Sequence, residues 1–173
     1  YRAVFVFGIE TETLDCEGKI TEVKYLQISR KKIESILKKF MGKISQMPPQ
    51  YSALKVGGKT AYDLARKGEV VDLKARDIEI FDLKVLPDID EAQKNILVQR
   101  FLSFNNIDFS KEEDISNSFK NNMYEFEISC SSGTYIRALC RDIWNELSSC
   151  GPMLSIVRTK CGVFSIKDSS KLE

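Results

Sequence analysis

Two periodicities alternate along the chain, and their order predicts a sheet flanked by helices. Residues 1–8 and 20–27 read as strands joined by a turn. Ser29 then opens an amphipathic helix over 29–40, with Ile33, Ile36, Leu37 and Phe40 on one face, and Gly42 stops it. A short helix is expected over 60–67. A further strand is expected over 76–86, where Ile78, Ile80 and Leu83 interrupt a polar run. Tyr124-Glu-Phe-Glu-Ile-Ser129 alternates large and charged side chains, as a half-buried strand does, and 137–147 carries apolar residues at helical spacing. A last strand is expected near 161–166. Residues 87–122 stand apart: they are polar and rich in Asn, Lys, Asp and Glu, although 96–104 inside them could pair as a strand or pack as a helix. This stretch is expected to be a surface insertion.

At 173 residues and 43% hydrophobic, the chain can bury a core as one domain. No apolar run reaches membrane-spanning length and no signal peptide is visible, so a cytoplasmic setting is the default. The five cysteines, at 16, 130, 140, 150 and 161, form no C-x-x-C pair, and there is no histidine to complete a zinc site. They are expected to be buried or idle thiols, and no metal is expected. The same lack of histidine excludes Ser-His and Cys-His nucleophilic pairs. Without a Gly-rich phosphate loop either, the chain points to cofactor-free chemistry.

A net charge of +1 announces no nucleic-acid binder, so any such footprint must be local. From Lys43 to Arg76 there are seven Lys and Arg against three Asp and Glu, with Tyr51 and Tyr62 among the cations. Cations neutralise phosphates while tyrosine faces stack on unpaired bases, which suits folded RNA with exposed loops. The alternative is a solvated Lys-rich loop with Tyr62 in the core.

The stretch Cys130-Ser-Ser-Gly-Thr-Tyr-Ile-Arg137 ends a strand with a small turn and sets an arginine at a helix entrance. A guanidinium there grips a carboxylate or phosphate through two parallel hydrogen bonds, unless it is a structural Arg paired with a neighbouring acid.

This stretch and Pro49-Gln-Tyr-Ser-Ala-Leu-Lys55, followed by Gly58-Lys-Thr-Ala-Tyr-Asp-Leu-Ala-Arg66-Lys-Gly68, resemble the TruB-type pseudouridine synthases. The opening Tyr1-Arg through Gly8, Thr11, Thr13, Asp15 and Gly18, and the ending Val157-Arg158 through Phe164, resemble further motifs of that family in the expected order. The resemblance runs over nearly the whole chain. The fold it implies is α+β, a mixed, mainly antiparallel sheet with flanking helices. The activity it implies is isomerisation of a uridine in the T loop of transfer RNA, with tRNA as the partner, no protein partner required and a monomeric enzyme. Residues 46–77 would form a thumb that closes on the RNA.

By the same resemblance, Tyr1 falls on the tyrosine that stacks on the target base and takes part in removing its C5 proton. Tyr135 falls on a tyrosine that contacts the nucleotide, and Arg137 on the arginine that pairs with the catalytic aspartate, keeping it ionised. Val157 stands where members carry leucine, an apolar wall for the flipped base. Tyr51, Lys55, Lys59 and Arg66 would bind RNA from the thumb. Tyr135 and Val157 could instead belong to the core, and Tyr1 could be a frayed terminus.

The catalytic aspartate of the family sits in a G-x-LDP loop, expected upstream of Tyr1, and a small RNA-binding domain is expected beyond Glu173. Lys171-Leu172-Glu173 could be native or a cloning remnant. Thr13-Leu14-Asp15 echoes the LDP loop, but Cys16 replaces the proline, so Asp15 reads as a turn residue with Gly18 supplying a positive φ. Arg137→Ala is expected to remove activity from the complete enzyme with little loss of fold. Two other readings stay open, a non-catalytic RNA-binding or remodelling fragment and a guide-RNA-dependent relative.

Overall fold

The computed structural model describes residues 1–24, 27–105 and 119–168. The chain begins with β1 (Arg2–Val6), followed by a ribbon of β2 (Ile9–Thr11) and β3 (Ile20–Val23), then α1 (Arg30–Leu37) with a 3-10 turn at Lys38–Phe40. β4 (Gly42–Gln46) leads out to the hairpin of β5 (Lys55–Val56) and β6 (Lys59–Thr60) and to α2 (Ala61–Ala65), and β7 (Arg76–Val85) leads back. Then come α3 (Glu91–Asn105), β8 (Met123–Cys130), α4 (Ile136–Glu146) and β9 (Met153–Val157). A last small hairpin pairs β10 (Lys160–Cys161) with β11 (Phe164–Ser165).

Five strands form one sheet in the order β4-β7-β8-β1-β9, with every neighbouring pair antiparallel. The α+β class is therefore observed. The central strand β1 has no polar alternation after Arg2 because both of its faces are covered. Ala3 and Phe5 point into one apolar cluster, and Val4 and Val6 into another. On the first face, α4 lays down Ile136, Leu139, Cys140, Ile143 and Trp144 at helical spacing, beside Ile33 and Leu37 of α1. Phe5 and Phe126 stack beneath them with ring centroids 4.6 Å apart. On the second face, Leu97, Val98 and Phe101 of α3 pack on Val4, Val6 and Leu154.

The expected elements recur with instructive shifts. Ser29 caps α1, its side chain accepting from the Lys32 amide, and Gly42 turns the chain at φ 81°, a conformation that glycine adopts without strain. The expected strand 1–8 breaks at Gly8, whose φ of 99° turns the chain away from the main sheet into β2. Residues 25 and 26, at the end of the expected strand 20–27, lie outside the described residues, as do 106–118 and 169–173.

The last strand expected near 161–166 is present as the two-residue β11 (Phe164–Ser165), but it lies outside the main sheet. Gly162, at φ 59°, makes that stretch the turn and second arm of a small hairpin, and the fifth strand of the sheet is Met153–Val157. The stretch 87–122 is also more than a surface addition. Its 96–104 part is helical, and Phe101 is fully buried against the sheet. The polar residues on the outer side of α3 hid this packing from a composition argument.

The final register pair of β4 and β7 is Gln46 with Arg76, so the chain leaves the sheet and returns to it at neighbouring points. The excursion between them has its own small core of Ala61, Val71 and Leu73, and Thr60 caps α2. Gly57 and Gly58, both at positive φ, make the two-residue turn that joins β5 to β6.

Candidate active site

The turn between β2 and β3 is folded on itself by short side chains. Thr11 Oγ1 donates to the Asp15 carbonyl at 2.8 Å, and Asp15 Oδ1 accepts from Thr13 Oγ1 at 2.6 Å and from the Glu17 amide at 3.2 Å. The strained residue of this turn is Leu14, at φ 62°, and not Gly18 as expected. Gly18 is needed for space, because a Cβ there would lie 2.3 Å from Thr13 Oγ1. The other carboxylate oxygen of Asp15 faces inward.

Arg137, in the first turn of α4, meets it. Arg137 Nη1 donates to Asp15 Oδ2 at 2.7 Å and to the Thr13 carbonyl at 3.0 Å, while Nη2 donates to the Tyr51 carbonyl at 2.8 Å. One guanidinium thus joins the β2–β3 turn, the base of the excursion and α4. Both charged side chains are only about a quarter exposed, 25% for Arg137 and 23% for Asp15, so their attraction is weakly screened. Asp15 is therefore more than the turn residue it was taken to be. Within this chain it is the carboxylate that Arg137 holds. The signal was the Thr11-x-Thr13-x-Asp15-x-x-Gly18 spacing, a self-bonded turn that leaves one carboxylate oxygen unused.

Thr13, Asp15, Tyr51, Tyr62, Arg66 and Arg137 line one cavity of about 460 Å³. The Tyr51 and Tyr62 rings meet edge to face at 6.0 Å, and the Arg66 guanidinium lies 5.6 Å from the Tyr62 ring centroid. Lys55 and Lys59 stand exposed on the β5–β6 hairpin and do not line this cavity.

Tyr1 lines a second cavity, also of about 460 Å³, with Phe81, Cys130 and Lys160. Its backbone nitrogen donates to the Ile128 carbonyl at 2.8 Å, which continues the pairing of β1 with β8 through Tyr1. Phe81 stands at the register shift between β7 and β8 and is 55% exposed, as a bulged residue re-aimed outward. Tyr135 is half-buried. Gln46, itself buried, fixes the Tyr135 backbone by accepting from its N–H at 2.9 Å and donating to its carbonyl at 3.1 Å. Val157 is exposed near the end of β9, opposite Arg2. The fold thus gathers Tyr51, Arg66 and Arg137 around Asp15, sets Tyr1 in a separate cavity, and leaves Val157, Tyr135, Lys55 and Lys59 lining neither.

Around the site, Arg141 Nη2 donates to the Met47 carbonyl at 2.8 Å and Nε to Asp142 Oδ1 at 2.9 Å. Burial raises the pKa of Asp142 in spite of that cation. Burial likewise pushes the thiols of Cys140 and Cys150 up, that of Cys150 to about 11, which keeps both protonated and unreactive. Among the described residues no group of three or more His, Cys, Asp or Glu is placed to hold a metal ion, and no helix is long and apolar enough to cross a membrane.

Comparison with known proteins adds to this geometry. Residues 1–136 match the family model described as TruB family pseudouridylate synthase (N terminal domain). The chain is 34% identical over 175 residues to the tRNA pseudouridine synthase B of Caulobacter sp. (strain K31), an alignment covering 100% of this chain and 46% of the relative. It is 37% identical over 171 residues to that of Oceanobacillus iheyensis, covering 98% of this chain and 47% of the relative, and 35% identical over 173 residues to that of Clostridium kluyveri, covering 100% and 49%. The chain spans about half the length of the curated relatives it matches. With a family match over most of its residues, the chain belongs to the TruB family of pseudouridylate synthases.

Proposed function

We propose that the complete enzyme converts a uridine in the T loop of transfer RNA to pseudouridine, using a catalytic aspartate outside this chain. The C1′–N1 bond breaks and a C1′–C5 bond forms; C5 loses its proton and N1 regains one, so the composition of the RNA does not change. No cofactor is required by that balance. The observation that carries the reading is the convergence of Arg137, Asp15, Tyr51 and Arg66 on one cavity. A guanidinium has five N–H donors, and Arg137 uses three of them on described residues, which leaves donors for a second carboxylate. Tyr1 stacks on the flipped base, and Lys55, Lys59, Arg66 and Tyr51 grip the RNA strand. The enzyme works in the cytoplasm as a monomer without a protein partner.

The test uses the full-length protein and a T-arm RNA carrying tritium at C5 of its uridines. Release of one equivalent of tritium to water, abolished by Arg137→Ala, is expected. Binding of the RNA without release would establish the non-catalytic reading instead.

A further inference from the structure

Tyr1 does not stand alone in its cavity. Arg158, just beyond β9, donates from Nε to Tyr1 Oη at 2.8 Å, and its guanidinium carbon lies 5.1 Å from the ring centroid, over the ring. These two contacts fix different things. The hydrogen bond fixes the position of the phenol oxygen, and the cation near the ring adds a cation–π attraction that restrains the ring itself. The backbone of Tyr1 is separately seated, its nitrogen donating to the Ile128 carbonyl and its carbonyl accepting from the Ile128 amide at 2.9 Å. Main chain and ring are thus held from β8 and from the segment that follows β9, the two strands that flank β1 in the sheet.

We infer that Arg158 is a positioning residue for the reaction, orienting the Tyr1 ring for the flipped uridine. This rests on the role proposed above for Tyr1. Arg158 is exposed, and its polar contact is with the phenol oxygen, so it serves no buried core. A misplaced stacking ring leaves RNA binding intact, since the thumb and its cations lie elsewhere, but it disturbs the geometry from which the base reacts. Displacements on the scale of 1 Å cost about 100-fold in rate. The loss is expected in turnover and not in affinity.

In the full-length enzyme, Arg158→Ala is expected to slow single-turnover pseudouridine formation by about 30-fold. RNA affinity should stay within about twofold and thermal stability should not change. Arg158→Lys keeps a cationic donor for Oη but loses the planar guanidinium against the ring, and is expected to recover part of the lost rate. A loss of affinity with turnover preserved would make Arg158 a phosphate contact and overturn the inference. So would an undiminished rate in Arg158→Ala, or a failure of Lys to rescue. The proposed activity fails in a different way: the wild-type full-length protein would leave uridine unconverted, and the assignment of Arg158 would fall with it.

Discussion

Breaking the Arg137–Asp15 pair should destabilise the fold as well as the site, and the size can be worked from the contacts. Arg137→Ala removes one charge-assisted bond, worth about 1.5–3 kcal/mol, and two bonds to neutral carbonyls, each worth about 1 kcal/mol. It also strands the Asp15 carboxylate, three-quarters out of water, with only a hydroxyl and an amide for partners. Losing one member of a fully buried pair costs about 3–5 kcal/mol; partial exposure lowers this to about 2–4 kcal/mol. Asp15→Asn keeps an acceptor for Thr13 and should cost about 1–2 kcal/mol. The double variant should fall short of the sum by a coupling energy of about 1.5–3 kcal/mol. Urea denaturation followed by the fluorescence of the single tryptophan, Trp144, reports on α4 itself. Lys39 and Glu146, an exposed ion pair, give the comparison: Lys39→Ala should cost under about 1 kcal/mol and vanish in 1 M salt, as the Arg137 coupling should not. A coupling below about 0.5 kcal/mol, or one erased by salt, would refute the claim that this pair joins three segments of the fold. The sequence-based expectation that Arg137→Ala spares the fold is revised accordingly.

Phe101→Ala should cost about 3–5 kcal/mol by the same measurement, because a fully buried ring 4.9 Å from Phe119 is deleted; a cost near zero would return α3 to the status of a surface insertion. Lys55→Ala and Lys59→Ala should each weaken RNA binding and lower the slope of log K against log salt by about 1, and unchanged slopes would remove them from the interface. Asp142 has its pKa raised in the folded state, so the native protein holds a proton that the unfolded chain has released. Its ionisation therefore costs stability as the pH rises past the ordinary carboxylate range near about 4. Asp142→Asn should gain stability relative to wild type between about pH 3 and pH 7, read as a difference in thermal midpoint, and a relative loss over that interval would contradict the assignment.

The periodic pattern alone determined most of the elements. Ser29, Gly42 and Thr60 act where short-range chemistry says they should, since a cap or a positive φ depends only on neighbouring atoms. Motif order likewise made the family legible. What stayed hidden depends on contacts across long sequence distances. The run Arg2-Ala-Val-Phe-Val6 reads as a strand, but only the sheet order shows that it is central, with helices over both faces. The role of α3 was obscured because a helix that buries one stripe of Leu97, Val98 and Phe101 leaves polar residues to dominate its composition. Asp15 looked like turn chemistry, and its own hydrogen bonds are indeed turn chemistry. Its partner stands 122 residues away on another element. Arg158 and Tyr1, 157 residues apart, meet only because β9 lies beside β1. Local propensity is written in neighbouring residues; the pairing of charges and rings is decided by which strands lie side by side.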